Sequence, residues 1–203
     1  MNDIIIRVAR ADDASAIQKI YEPYVLNTAI TFEYDVPTED EFKSRIKGTL
    51  EKYPYIVAIK DGKVIGYAYA GVFKGRRAYD LSVEMSVYVS GNERGGGVGR
   101  KLYDALEKIL KMQNVINVNA CIAYTENEDE HLKNGSTYFH EKMGYKFVGR
   151  FHKCAYKFSK WYDMIWMEKF IGAHTDNPKD FVPFSKLDKN MISLQCQTIS
   201  KNI

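Results

Sequence analysis

The sequence predicts a mixed α/β domain, a central sheet of mixed strand direction flanked by helices. Three observations carry that expectation. Hairpin signals appear at Asp61-Gly62 and in the aromatic segment that ends at Phe170. A strand, a glycine loop, a helix and another strand follow one another between Tyr79 and Ala123, the order of a parallel crossover. The stretches between them carry apolar residues at helical spacing.

Ile4–Val8 is short, apolar and β-branched, a first strand. Asp12 is placed to cap a helix whose Ile17, Ile20, Tyr21, Tyr24 and Val25 recur at three- and four-residue intervals. Thr38-Glu-Asp-Glu41 forms a capping box, and Phe42, Ile46 and Leu50 continue it as one stripe. Tyr55–Ile59 and Val64–Phe73 are the arms of a hairpin. After the basic turn Lys74–Arg77, the segment Tyr79–Val89 alternates: Leu81, Val83, Met85, Val87 and Val89 on one face, Asp80, Ser82, Glu84, Ser86 and Tyr88 on the other. Gly91–Gly99 holds five glycines, and Val98, Leu102, Leu106, Ile109 and Leu110 mark the helix that follows. Asn117–Ala123 reads as a strand, Tyr124–Lys133 as an acidic loop, and a short helix ends at Gly144. Tyr145–Phe158 and Trp161–Phe170 are two late strands. The domain so read spans residues 1–171, and the broken pattern of 172–203, with Pro178 and Pro183, reads as an appended tail.

Composition bounds the function. The 203 residues, 45% hydrophobic and 27% charged, suit one soluble domain with a real core. A net charge of +3 argues for no nucleic-acid surface, and the longest apolar-and-glycine run, Val64–Phe73, is about half a membrane span. The opening Met-Asn-Asp-Ile-Ile-Ile-Arg carries no secretory pattern. Cys121, Cys154 and Cys196 are odd in number and widely spaced, which fits reduced thiols in a cytoplasm. His152 and Cys154 lack a second ligand pair, so no metal is expected.

Arg94-Gly-Gly-Gly-Val-Gly-Arg100 is the richest local signal. Glycines there let main-chain N–H groups approach a phosphate, and the following helix adds the positive end of its dipole. The spacing excludes a Walker loop, because Gly96 is followed by Gly97 and Val98 rather than Lys-Ser/Thr. It also excludes the dinucleotide fingerprint, which would need a small residue at Arg100.

Arg94-x-x-Gly97-x-Gly99 resembles the coenzyme A pyrophosphate loop of the GCN5-related N-acetyltransferases, and the order of elements is that family's order. Longer stretches resemble its phosphinothricin and methionine sulfoximine N-acetyltransferase branch. They are Tyr53-Pro54, Gly66-Tyr-Ala-Tyr-Ala-Gly71, Lys74-x-Arg76-x-x-Tyr79-Asp80, Glu84, Val87-Tyr-Val89, His140-Glu141-x-x-Gly144-Tyr145 and Trp161-Tyr-Asp163. The resemblance covers about residues 3–171. It implies direct acetyl transfer from acetyl-CoA to the primary amine of a small amino-acid-like substrate, with a homodimer as the assembly; charge and hydropathy, as above, point to no nucleic-acid or membrane partner.

The resemblance makes Glu84 the general base. An acid between Val83 and Met85 in mid-strand supports this, since cover on both sheet faces would desolvate it and raise its pKa; a solvent-facing carboxylate is the other reading. His140 stands where many family members carry the acid for the leaving thiolate, with a structural histidine as the alternative and Tyr138 as a neighbouring substitute. Coenzyme A contacts are implied for Val87, Tyr88 and Val89, for Arg94, Gly95, Gly96, Gly97, Val98, Gly99 and Arg100, and for Asn134 and Ser136. Lys133 occupies the branch's usual Asn position, and Asn134 also suits a helix cap. Phe32, Lys74, Arg76, Tyr79 and Tyr88 match the acceptor pocket, and the acidic run from Glu126 to Glu130 reads as solvated loop or as a repeller of anions. Other acceptors (a polyamine, an aminoglycoside, a protein N-terminus) and an acyl-CoA sensor without turnover are the competing readings.

Overall fold

The computed structural model describes residues 4–198; the first three residues of the opening motif and residues 199–203 lie outside the described residues. Seven strands are present: β1 (Ile5–Val8), β2 (Tyr55–Lys60), β3 (Lys63–Val72), β4 (Ser82–Val89), β5 (Asn117–Tyr124), β6 (Lys146–Lys157) and β7 (Lys160–Phe170). They form one sheet in the order β1-β2-β3-β4-β5-β7-β6, antiparallel throughout except between β4 and β5. The expected mixed sheet is therefore present. The helices are α1 (Ala14–Asn27), α2 (Glu39–Lys52), α3 (Val98–Met112), α4 (Gly135–Lys142) and α5 (Lys189–Thr198). Among the described residues, no helix is long and apolar enough to cross a membrane.

Side-chain alternation divides the core into two layers. Val83 and Met85 of β4, with Val118, Ala120 and Ile122 of β5, pack on the Leu102, Leu106 and Ile109 stripe of α3. On the opposite face Tyr55, Val57 and Tyr67 meet Ile17, Tyr21 and Tyr24 of α1 and Phe42 and Ile46 of α2. Gly66 is needed at the first interface, since a Cβ there would stand 3.1 Å from the Tyr88 carbonyl and 3.2 Å from Val98.

Local signals mostly act as their chemistry dictates. Thr38 Oγ1 accepts from the Glu41 N–H, and the Glu41 carboxylate accepts from the Thr38 N–H, completing the capping box. Asp61 and Gly62 both take positive φ, 52° and 75°, as a tight hairpin turn demands. Three expectations shift. Asp13, rather than Asp12, precedes α1: its carboxylate receives two 2.7 Å bonds from Arg7 and one from the Arg10 N–H. Arg77–Tyr79 is a short 3-10 turn, so β4 begins only at Ser82. β6 is broken by two bulges, after Phe147 and after Phe151.

The segment after Gly172 packs on the domain. Phe184, Ile192 and Cys196 are buried with the α3 core. Gln113, at the end of α3, donates from its side chain to the carbonyls of Lys52 and Val182, both at 2.8 Å, tying α2 and the C-terminal segment together.

Candidate active site

β4 and β5 run together for only three pairs, from Ser82–Asn117 to Glu84–Asn119, and then part although both strands continue. In an extended strand alternate residues turn their main-chain groups to the same side. Met85 and Val89 face the opening: Tyr103 Oη lies 3.3 Å from the Met85 carbonyl, and the Tyr24 hydroxyl donates to Val89 O at 2.6 Å and accepts from its N–H at 3.1 Å. Val87 lies between them and, by the same alternation, presents an N–H and a C=O that no described side chain caps. The cleft so formed holds about 60 Å³ and is lined by Val87, Tyr88, Tyr103, Cys121, Ser136 and His140, among others.

The glycine loop lies beyond the end of β4 and opens α3, with Gly99 approaching Val89 and Phe139. Gly95 and Gly97 hold φ of 80° and 79°, the left-handed region that a Cβ disfavours. A Cβ on Gly96 would stand 3.3 Å from the Glu93 carbonyl, and one on Gly99 3.3 Å from the Phe139 ring. Gly97 precedes the first turn of a 15-residue helix, whose N–H groups and dipole end point outward. Arg94 stacks over Tyr24 at 4.6 Å, and Arg100 donates to the Lys142 carbonyl. Val98 turns its side chain into the core, leaving only its main chain to the loop. The Gly96 N–H donates to the Glu93 carbonyl, and the remaining N–H groups from Gly95 to Gly99, flanked by two arginines, form a cradle that fits a pyrophosphate.

Glu84 sits at the point of parting. Its partner in β3 is Gly71, where a Cβ would meet nothing within 4 Å, so the carboxylate borders open space. It is half-buried, and among the described residues it accepts no hydrogen bond. Desolvation raises its pKa above the ordinary glutamate value, an effect that the Lys74 ammonium opposes. Cys121 and Trp166 pair on β5 and β7 on the same face. Lys74 lies over the Trp166 ring, and Phe73 links Trp166 to Tyr79 through edge-to-face contacts. Lys74, Arg76 and Tyr79 are all exposed at this rim. Tyr88 lies deeper, edge-on to Tyr21 and Tyr24, and Phe32 packs beside Leu132 and Tyr162.

His140 is a different kind of group. It is 4% exposed; its Nδ1 lies 2.7 Å from the Ser136 carbonyl and its Nε2 3.1 Å from Tyr103 Oη. A carbonyl accepts only, so Nδ1 carries the proton and Nε2 accepts from Tyr103. Burial lowers its pKa to about 4, which leaves the imidazole neutral at pH 7. Tyr138, the substitute expected beside it, is 57% exposed and is not among the residues that line the cleft. Asn134 uses its amide on both main-chain groups of Thr125 and makes no side-chain cap to α4. The acidic loop is largely neutralised: Glu126 pairs with Arg150 and Asp129 with Lys160, while Glu128 accepts from the Asn134 N–H.

Sequence reasoning missed Tyr103, Tyr24 and Trp166. Tyr103 adjoins Leu102 and lies three before Leu106, so a two-residue-wide apolar stripe on α3 would have marked it as buried and its hydroxyl as needing a partner.

Comparison with known proteins gives this geometry a lineage. The model of the acetyltransferase (GNAT) domain matches residues 6–166. The phosphinothricin N-acetyltransferase of Streptomyces viridochromogenes is 33% identical over 166 residues, 81% of this chain and 87% of that protein. The L-methionine sulfoximine/L-methionine sulfone acetyltransferase of Salmonella typhimurium is 28% identical over 170 residues, 83% of this chain and 95% of that one. A phosphinothricin acetyltransferase structure from Sinorhizobium meliloti, in complex with acetyl-CoA, superposes with a TM-score of 0.78 at 30% identity, covering 90% of this chain and 98% of that chain. With the family model spanning most of the chain, and with the parted strands and glycine cradle in place, the protein belongs to the GNAT family of acetyltransferases.

Proposed function

We propose that this acetyltransferase transfers the acetyl group of acetyl-CoA directly to the α-amine of a small amino-acid-like compound, with Glu84 as general base. The observation that carries the reading is an unpartnered, half-buried carboxylate facing open space where β4 leaves β5. Acetyl-CoA supplies an activated thioester carbonyl, at which a C–N bond forms as the C–S bond breaks and the sulfur leaves with the electron pair.

The chain's own groups do the rest. Main-chain N–H groups of Gly95, Gly97, Val98 and Gly99, with Arg94 and Arg100, hold the pyrophosphate, and the uncapped N–H and C=O of Val87 pair with the pantetheine amides. Val89 is already satisfied by Tyr24 and contributes less. Ser136 lines the cleft and contacts the same arm. Glu84 takes the ammonium proton of the acceptor, which its raised pKa suits. Lys74 and Arg76 hold the acceptor's carboxylate, and Tyr79, Tyr88 and Phe32 frame it. His140, neutral and fixed on both sides, accepts the single Tyr103 hydroxyl proton, and the pair holds the wall of the cleft beside the departing sulfur, which takes its proton from solvent. The relatives' names point the acceptor class toward phosphinothricin, methionine sulfoximine and methionine sulfone.

The β6 edge supports a homodimer: Phe147, Val148 and Phe151 are all more than half exposed on the strand that ends the sheet. Cytoplasmic residence follows from the reduced thiols that the sequence implies.

The test is thiol release from acetyl-CoA with methionine sulfone, methionine sulfoximine, phosphinothricin, a polyamine and an aminoglycoside. Release with the first three supports the reading. Tight acetyl-CoA binding without thiol release from any acceptor would replace it with a sensor role.

A further inference from the structure

The hairpin between β6 and β7 sends a lysine into the protein. Lys157 closes β6 and pairs with Lys160 across Phe158 and Ser159, which both take positive φ, 50° and 57°, as a two-residue hairpin turn requires. Lys157 is 3% exposed. Its ammonium donates to three main-chain carbonyls, those of Val25 at 2.8 Å and of Thr28 and Thr31 at 2.9 Å, so all three of its N–H donors are used. Val25 and Thr28 stand at the C-terminal end of α1, where orphan carbonyls and the negative end of the helix dipole favour a cation. Burial lowers the pKa of the ammonium, and the Glu33 carboxylate opposes that shift. Desolvating a charge is costly even when it is hydrogen-bonded, and a well-packed apolar side chain serves stability as well. The use of a lysine here therefore points to placement rather than to strength.

The carbonyls that Lys157 gathers belong to the segment that walls the acceptor side of the cleft. Ile30 lines the cleft with Val87 and Tyr88 of β4, and Phe32 packs beside Leu132 and Tyr162. Two further bonds pin the same segment: the Ala29 N–H donates to the His131 carbonyl at 2.9 Å, and the Thr31 hydroxyl lies 2.6 Å from Tyr21 Oη. Lys157 adds what these lack, since it ties the helix end, the turn and the segment beyond to one point. Its hairpin partner Lys160 bonds Asp129, so the same hairpin end also holds the loop that carries His131. Lys157 is not itself among the described residues that line the cleft.

We propose that Lys157 is a positioning residue for the acceptor, its ammonium gathering the end of α1 and the segment after it so that Ile30 and Phe32 form the wall against which the acceptor binds. The proposal rests on the reading that an amino-acid amine is acetylated beside Glu84 with Phe32 in its pocket. An ammonium suits the task because three donors on one atom draw three carbonyls to a point, which the planar fork of an arginine does not. An apolar wall holds the acceptor alike before and during transfer, so losing its placement shows in KM more than in kcat.

Two variants and a control test this. Lys157→Met keeps the length and removes the charge, and Lys157→Arg keeps the charge and spoils its geometry. Lys169→Met is the control, since it removes the 2.7 and 2.8 Å bonds to Glu107 on the α3 face of the sheet. KM and kcat are measured with methionine sulfone, methionine sulfoximine and phosphinothricin, together with calorimetric dissociation constants for each and for acetyl-CoA, whose binding reports folding. The expected result is an acceptor KM and Kd raised about tenfold or more in Lys157→Met and several-fold in Lys157→Arg, with kcat within about threefold of the parent protein. Acetyl-CoA affinity is retained, and the constants of Lys169→Met stay close to the parent's. Unchanged acceptor constants in both Lys157 variants, a loss confined to kcat, or an equal rise in Lys169→Met would overturn the proposal. If Lys157→Met does not bind acetyl-CoA, Lys157→Arg decides alone. Acceptor binding without thiol release in the parent protein would instead sink the acetylation reading, and the calorimetric constants would still decide the role of Lys157; a parent protein that binds none of the three acceptors would overturn both.

Discussion

Glu84 and His140 stand on either side of the place where β4 leaves β5, and the same physical cause acts on both with opposite sign. Burial disfavours charge, so it raises the carboxyl of Glu84 and lowers the imidazole of His140 to about 4. Their hydrogen bonds separate them. Glu84 accepts none among the described residues and borders open space; His140 has both ring nitrogens engaged, by Ser136 and Tyr103. A desolvated group without partners is available to a substrate, whereas one with its partners in place is a fixture that shapes the wall. A shifted pKa alone does not identify a catalytic residue; its vacancy for a partner does.

The largest effect expected from this contrast is on turnover. Glu84→Gln keeps the shape and removes the proposed base, and should lower the rate of thiol release about 10²–10⁴-fold with acetyl-CoA affinity retained. His140→Gln should cost the rate far less, and an equal loss in the two variants would erase the distinction drawn here.

The second effect is on stability and belongs to His140. Its folded value near 4 lies below the ordinary 6.5, so between those values the unfolded chain binds the additional proton. The stability contributed by the neutral imidazole is complete above pH 6.5 and is lost as pH falls toward 4, by roughly 3 kcal/mol in all. Urea midpoints taken at pH 7 and pH 4.5 should therefore lie closer together in His140→Gln than in the parent protein.

The smallest effect sharpens the cofactor side of the cleft. Gly97 holds φ 79° at the start of α3, and Gly97→Ala places a Cβ in the left-handed region at a cost of roughly 1–2 kcal/mol. Acetyl-CoA affinity should fall about tenfold by titration, with the acceptor's KM little changed.

Much of this was legible in the sequence because it is written in local patterns. The capping box at Thr38, the turn at Asp61-Gly62, the alternation through Glu84 and the glycines before α3 each fold by neighbour chemistry. What escaped depends on distant partners. The acidic loop reads as a free charged run, yet Arg150 lies 24 residues from Glu126 and Lys160 lies 31 from Asp129, and folding brings them together. Among its described residues the C-terminal segment shows only Phe184, Ile192 and Cys196 as buried apolar positions, too few for a pattern, and its anchoring through Gln113 joins residues 61 and 69 positions away. Tyr103 was hidden for a similar reason: its importance lies in Met85 and His140, which only the fold places beside it.

The account turns on Glu84 as the proton acceptor, and the pH profile of kcat/KM for methionine sulfone tests it most directly. In the parent protein the rate should fall on acidification through an ionisation above the ordinary glutamate value, and in Glu84→Gln that acid limb should vanish along with most of the rate while acetyl-CoA still binds. Turnover in Glu84→Gln that matches the parent protein from pH 6 to 9 would contradict it.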